Sequence, residues 1–171
     1  MVQVYCLLSG RNNIGDTIKF ISIDPYKILV TGRIKHFISA FGEHVIAEEV
    51  EYALLKAANE EGIKIIEFTV APFISQTTGK SYHEWFIEFE QSPTNLVAFA
   101  KNVDENLRSK NVYYYDLIAG NILEPLCINP MKKNGFIDYM KNIGKLGGQN
   151  KVPRLSNDRI IADGLLPFIQ S

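Results

Sequence analysis

The chain has 171 residues, enough for one domain with a buried core, and its 46% hydrophobic and 22% charged content excludes a disordered or fibrous chain. A net charge of -1, from 18 basic and 19 acidic residues, argues against broad attraction to nucleic acid or to an anionic membrane. Cys6 and Cys127 stand far apart without metal-type spacing, no run reaches the ~18 apolar residues of a membrane helix, and the amino terminus lacks signal-peptide character, so the chain reads as cytoplasmic.

Val2 to Leu8, Thr17 to Ile23 and Lys27 to Thr31 are short β-prone runs broken by Gly10, Gly15 and Asp24-Pro25, the pattern of hairpin-like strands. From Glu43 to Glu61, Ile46, Val50, Ala53, Leu54 and Ala57 recur at helical spacing, and Gly62 follows where a helix would stop. Ile66, Phe68 and Val70 alternate with Glu67 and Thr69, as Trp85, Ile87 and Phe89 alternate with Phe86 and Glu88. Two strands are predicted there, joined around Ser75 to Lys80.

Ser92-Pro93 offers a cap and a first-turn proline, and Leu96, Val97, Ala100, Val103 and Leu107 trace the buried face of a second helix. Val112 to Ile118 fits either a strand or a helix, Leu123 to Ile128 reads as a strand, and Gly135 to Ile143 as a short helix. The order predicts an α+β fold: a mixed sheet covered by helices on one side, preceded by short β-hairpin segments. Residues 1–34 read as the hairpin unit and 35–171 as the α+β domain, with Gly144 to Gly148 a loop ahead of Lys151.

Three constellations bear on chemistry. In Ile14-Gly15-Asp16-Thr17 a carboxylate follows a turn and could accept both hydroxyls of a ribose, although Gly-Asp is a common turn pair. In Thr31-Gly32-Arg33-Ile34-Lys35 the cations share one face if extended, suited to phosphate or ribose, or simply solvated. In Gly147-Gly148-Gln149-Asn150-Lys151-Val152-Pro153-Arg154, a lysine on a glycine-rich loop can be delivered to a phosphate, with Arg154 as an anchor for the loop. Other features stay structural. Thr78-Gly79-Lys80-Ser81 lacks the glycine of a phosphate loop at Ile74, and His36, His44 and His83 lack metal-ligand spacing. Tyr113-Tyr114-Tyr115 and Trp85 read as core or partner-facing aromatics.

IGDTIKF followed by TGRIKHFISAFGEHVIAEEVE resembles the junction between the large and small domains of adenylate-forming enzymes, and in particular the Gretchen Hagen (auxin-responsive promoter) acyl-acid amido synthetases. The segment from Gln149 to Arg154 is similar to that family's Q-x-K-x-P-R run near its carboxy terminus. The resemblance, from about Gly15 to about Arg159, implies an ATP-dependent ligase, with Mg2+ expected alongside ATP, that forms an acyl-adenylate and passes the acyl group to an amine such as an amino acid. It implies Asp16 and Arg33 as nucleotide contacts, Lys35 as the hinge, Lys151 as the lysine of the adenylation step, and residues 1–34 as the end of the large domain.

The resemblance breaks upstream of Gly15, where Gly10-Arg11-Asn12-Asn13 replaces the family's aromatic and arginine-tyrosine pattern. Nothing matches the family's Ser/Thr/Gly-rich phosphate loop or acyl pocket, so the chain is expected to be incomplete, inactive alone, and dependent on a large amino-terminal domain in cis or in trans. The alternative is a non-catalytic α+β ligand-binding or protein-interaction module.

Overall fold

A computed structural model of the protein describes residues 4–5, 16–33, 37–145, 147 and 151–170. Strands β1 (Val4–Tyr5), β2 (Asp16–Ile23) and β3 (Tyr26–Arg33) pair antiparallel in that order. The β2–β3 hairpin turns at Asp24-Pro25, as the turn chemistry predicts, and it leaves Ile21, Ile23, Tyr26 and Leu29 exposed. Short strands β4 (Phe37–Ile38) and β5 (Val45–Ile46) then pair with each other and lead into helix α1 (Ala47–Glu61).

Helix α1 starts later than the predicted Glu43. Val45 and Ile46 are β-branched and are taken by the ladder to β4, and the Glu49 carboxylate accepts the Ile46 N–H at 3.2 Å, so the first turn is capped only there. Val50, Ala53, Leu54 and Ala57 form the buried stripe that their spacing predicts, and Gly62 closes the helix in the left-handed region at φ 67°.

The second sheet has the order β6 (Ile65–Ile74), β7 (Ser81–Phe89), β8 (Cys127–Pro130), antiparallel across β6–β7 and parallel across β7–β8. Thr78-Gly79-Lys80 makes the β6–β7 turn, with Gly79 at φ 67°. Helices α2 (Leu96–Lys110) and α3 (Val112–Ala119) form the crossover from β7 to β8. Helix α2 begins at Leu96 rather than at Ser92-Pro93, because the Asn95 side chain accepts the Ala98 N–H at 3.0 Å and so supplies the cap. That start sets which residues face inward: Phe99, Val103 and Leu107 are buried, whereas Val97, predicted to be core, is 81% exposed. Val112–Ala119 resolves as helix, capped by the Asn111 side chain on the Tyr114 N–H at 2.8 Å. The expected strand from Leu123 to Ile128 is shifted to β8; Leu123 and Leu126 are buried as core without joining the ladder.

Helices cover both faces of this sheet, not one. Phe68, Val70, Trp85, Ile87 and Ile128 pack with the buried faces of α1, α2 and α3. Ala71 and Phe86, on the other face, pack against α4 (Gly135–Asn142) and α5 (Ile160–Leu165) through Phe136, Tyr139, Ala162 and Leu165. Strand β7 is therefore central and doubly buried, its residues from His83 to Phe89 all withdrawn from solvent whether apolar or polar.

A buried polar cluster ties the segment before α1 to the sheet. Fully buried Glu43 meets His83 on β7, Oε1 to Nε2 at 2.8 Å, and its other carboxylate oxygen accepts the Phe41 N–H at 2.8 Å. The Tyr114 ring lies 5.1 Å from the His83 ring, and its hydroxyl donates to Asp104 at 2.6 Å while Arg108 pairs with that carboxylate. Burial raises the Tyr114 hydroxyl well above its usual value, and the Asp104 charge adds to the shift. Burial also pushes the Glu43 carboxyl up, but the hydrogen bond and charge of His83, with backbone donors, outweigh it and leave the group below its ordinary 4.5.

The α2 register predicts that Phe99→Ala costs about 3–5 kcal/mol in urea unfolding, whereas Val97→Ala stays within about 0.5 kcal/mol. Equal costs at the two positions would refute it. Glu43 generates a second prediction. Its folded pKa is depressed, so its stabilisation is present above the unfolded value and lost as pH falls through the folded one. Unfolding free energy should therefore drop between about pH 5 and pH 3, with a shallower drop in Glu43→Gln; indistinguishable slopes would show that this carboxylate does not contribute.

Candidate functional site

The geometry around Lys151 begins at the free edge of β6. Residues just after Lys151 lie along that edge and close it: Leu155 bridges Val70 in parallel, the Val70 N–H donates to the Arg154 carbonyl at 3.0 Å, and the Ser156 N–H returns to the Val70 carbonyl at 3.0 Å. The Thr69 hydroxyl donates to the Pro153 carbonyl at 2.7 Å. Val152 and Leu155 are buried, one in each core cluster. Arg154 pairs with Glu67 of β6 and lies 4.4 Å over the Phe68 ring, so it anchors this segment, the role its position suggested.

A second arginine fixes the far end of the same stretch. Arg159 donates to Glu84 of β7 at 2.8 Å, to the Pro72 carbonyl at 2.9 Å and to Asp163 at 3.0 Å. The Asn129 side chain donates to the other Glu84 oxygen at 2.8 Å. Burial raises the Cys127 thiol and the Tyr82 hydroxyl, and the Glu84 charge adds to both. Glu88, also on β7, caps α4: its oxygens accept the N–H groups of Asn134 at 2.6 Å and Phe136 at 3.4 Å, where Asn134 supplies no side-chain cap.

Lys151 is exposed at the rim of a cavity of about 270 Å³ between α4 and the start of β6, which Lys145 also lines. Ile66, Ile137 and Met140 supply its apolar wall, and Glu67 and Glu88 its acidic one. Both acids are already engaged, whereas neither lysine pairs with a carboxylate among the described residues. The cavity thus carries charges of both signs, with Lys151 just ahead of a segment held by backbone hydrogen bonds.

The other sequence-derived candidates lie on the hairpin. Asp16 and Arg33 are cross-strand partners at the open end of β2–β3, so the fold brings their backbones together although the sequence separates them. Lys35 lies outside the described residues, as do Gly148, Gln149 and Asn150 of the glycine-rich run. The described lining of the cavity contains Lys151 and neither Asp16 nor Arg33. Sequence reasoning passed over Glu67, Glu84, Glu88 and Arg159. For Glu84 and Glu88 the signal was an acidic residue recurring within β7, which a strand with both faces buried can hold only by pairing it; Arg159 carried no such signal. Among the described residues no three of His, Cys, Asp or Glu are placed to hold a metal ion, and no helix is long and apolar enough to cross a membrane.

The model of the GH3 family C-terminal domain matches residues 48–160. Among solved structures, the chain is similar to a GH3.15 acyl acid amido synthetase, with a TM-score of 0.71 at 17% identity over 92% of this chain and 30% of that one. It is also similar to AtGH3.15 acyl acid amido synthetase in complex with 2,4-DB, with a TM-score of 0.70 at 15% identity and the same coverage, 92% and 30%. At these identities the likeness shows the fold, and the chain spans about 30% of the length of those proteins. No curated protein matches by sequence. The matched span contains Lys151 and Arg154 and begins after Asp16, Arg33 and Lys35. With that span covering most of the chain and the α+β architecture agreeing, the protein belongs to the GH3 family, whose C-terminal domain it carries.

Proposed function

We propose that the chain works as the small domain of an ATP-dependent acyl-acid amido synthetase, which activates a carboxylic acid as acyl-AMP and passes the acyl group to an amine, an amino acid being the acceptor. Its partner is then a larger amino-terminal portion carrying the acyl pocket and the phosphate loop, in cis or in trans. Residues 1–34 belong with that portion and residues 35–171 form the small domain. The setting is the cytoplasm.

One observation carries this reading: Lys151 lies inside the span matched by the GH3 C-terminal domain and stands exposed at the cavity rim, without a carboxylate partner among the described residues, just ahead of a segment anchored along β6. An ammonium so placed can neutralise the charge that develops when a carboxylate attacks the α-phosphate of ATP. Asp16 and Arg33, partners across β2–β3, would take the ribose and nucleotide, and Lys35 would serve as the hinge. Magnesium would arrive with the nucleotide.

The test is acyl-dependent exchange of pyrophosphate into ATP, with the chain joined or added to the larger portion of a GH3 synthetase. Lys151→Ala should lower exchange by about 10²-fold, on the order of 3 kcal/mol in the transition state. Unchanged exchange would remove Lys151 from the adenylation step. No exchange in any combination, with the chain folded, would favour the non-catalytic module.

A further inference from the structure

We propose that Arg154 is a positioning residue for Lys151: by occupying the Glu67 carboxylate it keeps that carboxylate from capturing the lysine ammonium. The consequence for catalysis rests on the adenylation reading, whereas the pairing and its effect on Lys151 concern this chain alone.

The cavity between α4 and the start of β6 is lined by two carboxylates, Glu67 and Glu88, and by two lysines, Lys145 and Lys151. Glu88 is held by the first N–H groups of α4, donors that belong to the backbone and stay in place as long as the helix start does. Glu67 is held differently. The Arg154 guanidinium and the Phe68 N–H, the latter at 3.0 Å, both bond to its Oε1, and Arg154 is not among the residues that line the cavity. The arginine thus meets Glu67 from outside the lining that contains Lys151.

Several contacts keep the guanidinium there. It lies 4.4 Å over the Phe68 ring, its Nη1 reaches the Phe68 carbonyl at 3.4 Å, and the Arg154 carbonyl accepts the Val70 N–H at 3.0 Å along the β6 edge. A planar guanidinium loses less freedom per hydrogen bond than an ammonium on a flexible stem, so it outcompetes a lysine for a fixed carboxylate. Without it, Glu67 is a partly buried carboxylate with one backbone donor, sharing a cavity with two ammonium groups, and pairing with one of them replaces the lost partner. Lys151 is the nearer in sequence, on the stretch that leads into Arg154. Paired in this way it would be held against the cavity wall, its charge already neutralised before a phosphate arrives.

The experiment follows acetylation of Lys151 by an N-hydroxysuccinimide ester in the full chain, site by site, by peptide mass spectrometry. Only an unprotonated amine reacts, so an ammonium held by a carboxylate is modified more slowly. Arg154→Met, which keeps an apolar stem over Phe68, should slow modification of Lys151 by about threefold, the size expected of one partly exposed ion pair. Adding Glu67→Gln should restore the rate, and raised salt should narrow the difference. Arg154→Lys, which leaves a cation for Glu67, should react as the unaltered chain does. Arg154→Gln serves as the neutral variant if Met costs the fold, judged by hydrogen exchange at the Val70 and Ser156 amides. Equal or faster modification in the folded neutral variant would overturn the proposal, as would a double variant no faster than the single one: either would make Arg154 an anchor of the segment and nothing more. In the chain joined to the larger portion of a GH3 synthetase, the same two changes should lower and then restore acyl-dependent exchange. If Lys151→Ala leaves that exchange unchanged, the adenylation reading falls while the reactivity result stands.

Discussion

Double burial of β7 is the constraint on which the rest of the domain depends. Trp85, Phe86 and Ile87 are all fully buried, so successive side chains of one strand enter two different cores. Glu84 and Glu88 share the face of Phe86, and a carboxylate withdrawn from water there is costly unless donors replace its hydration. Arg159 and Asn129 do this for Glu84, and the first N–H groups of α4 do it for Glu88. The need to satisfy two strand carboxylates therefore fixes where α4 begins and where the stretch ending at Arg159 must pass.

Sheet edges impose the complementary demand. The outer edge of β6 would expose unpaired backbone groups, and Arg154 to Ser156 cover them; the outer edge of β8 is met near the carboxy end, where the Lys132 N–H donates to the Phe168 carbonyl and the Gln170 N–H to the Pro130 carbonyl, each at 2.8 Å. Lys151 stands just before the first of these closures. Its position follows from edge pairing and arginine anchoring, forces that act on neighbouring residues and not on the lysine itself.

Much of this was legible in the sequence wherever a pattern and its stop signal coincided. Helix α1 carried a clean stripe ended by Gly62, and the β2–β3 and β6–β7 hairpins carried turn residues between alternating runs. What escaped was decided by longer-range partners. Ser92-Pro93 is a good local cap, but Asn95 holds that place, and the shift moved Val97 from the expected core to solvent. Val112 to Ile118 had no decisive period, because Tyr114 alone of its residues is fully buried and it is held by Asp104 and capped by Asn111. A helical cover on the second face could not be seen from Phe86 and Glu88 while those residues passed for the polar side of an alternating strand. At the candidate site, the type and spacing of Lys151, Pro153 and Arg154 were readable. The glutamate that anchors Arg154 was not, lying far away in sequence on β6.

The described surroundings of Lys151 differ on its two sides. On the carboxy side, Pro153 to Ser156 are locked to β6 by hydrogen bonds at 2.7 to 3.0 Å and by the Arg154–Glu67 pair. On the amino side, Gly144 and Gly147 take positive φ values of 68° and 97°, conformations that side chains other than glycine's adopt only with strain. Those two described positions ahead of the lysine thus depend on glycine, while the backbone leaving it pairs with the edge of β6. The anchored stretch beyond the lysine fixes where its Cα stands, and its four-carbon stem lines the cavity from there.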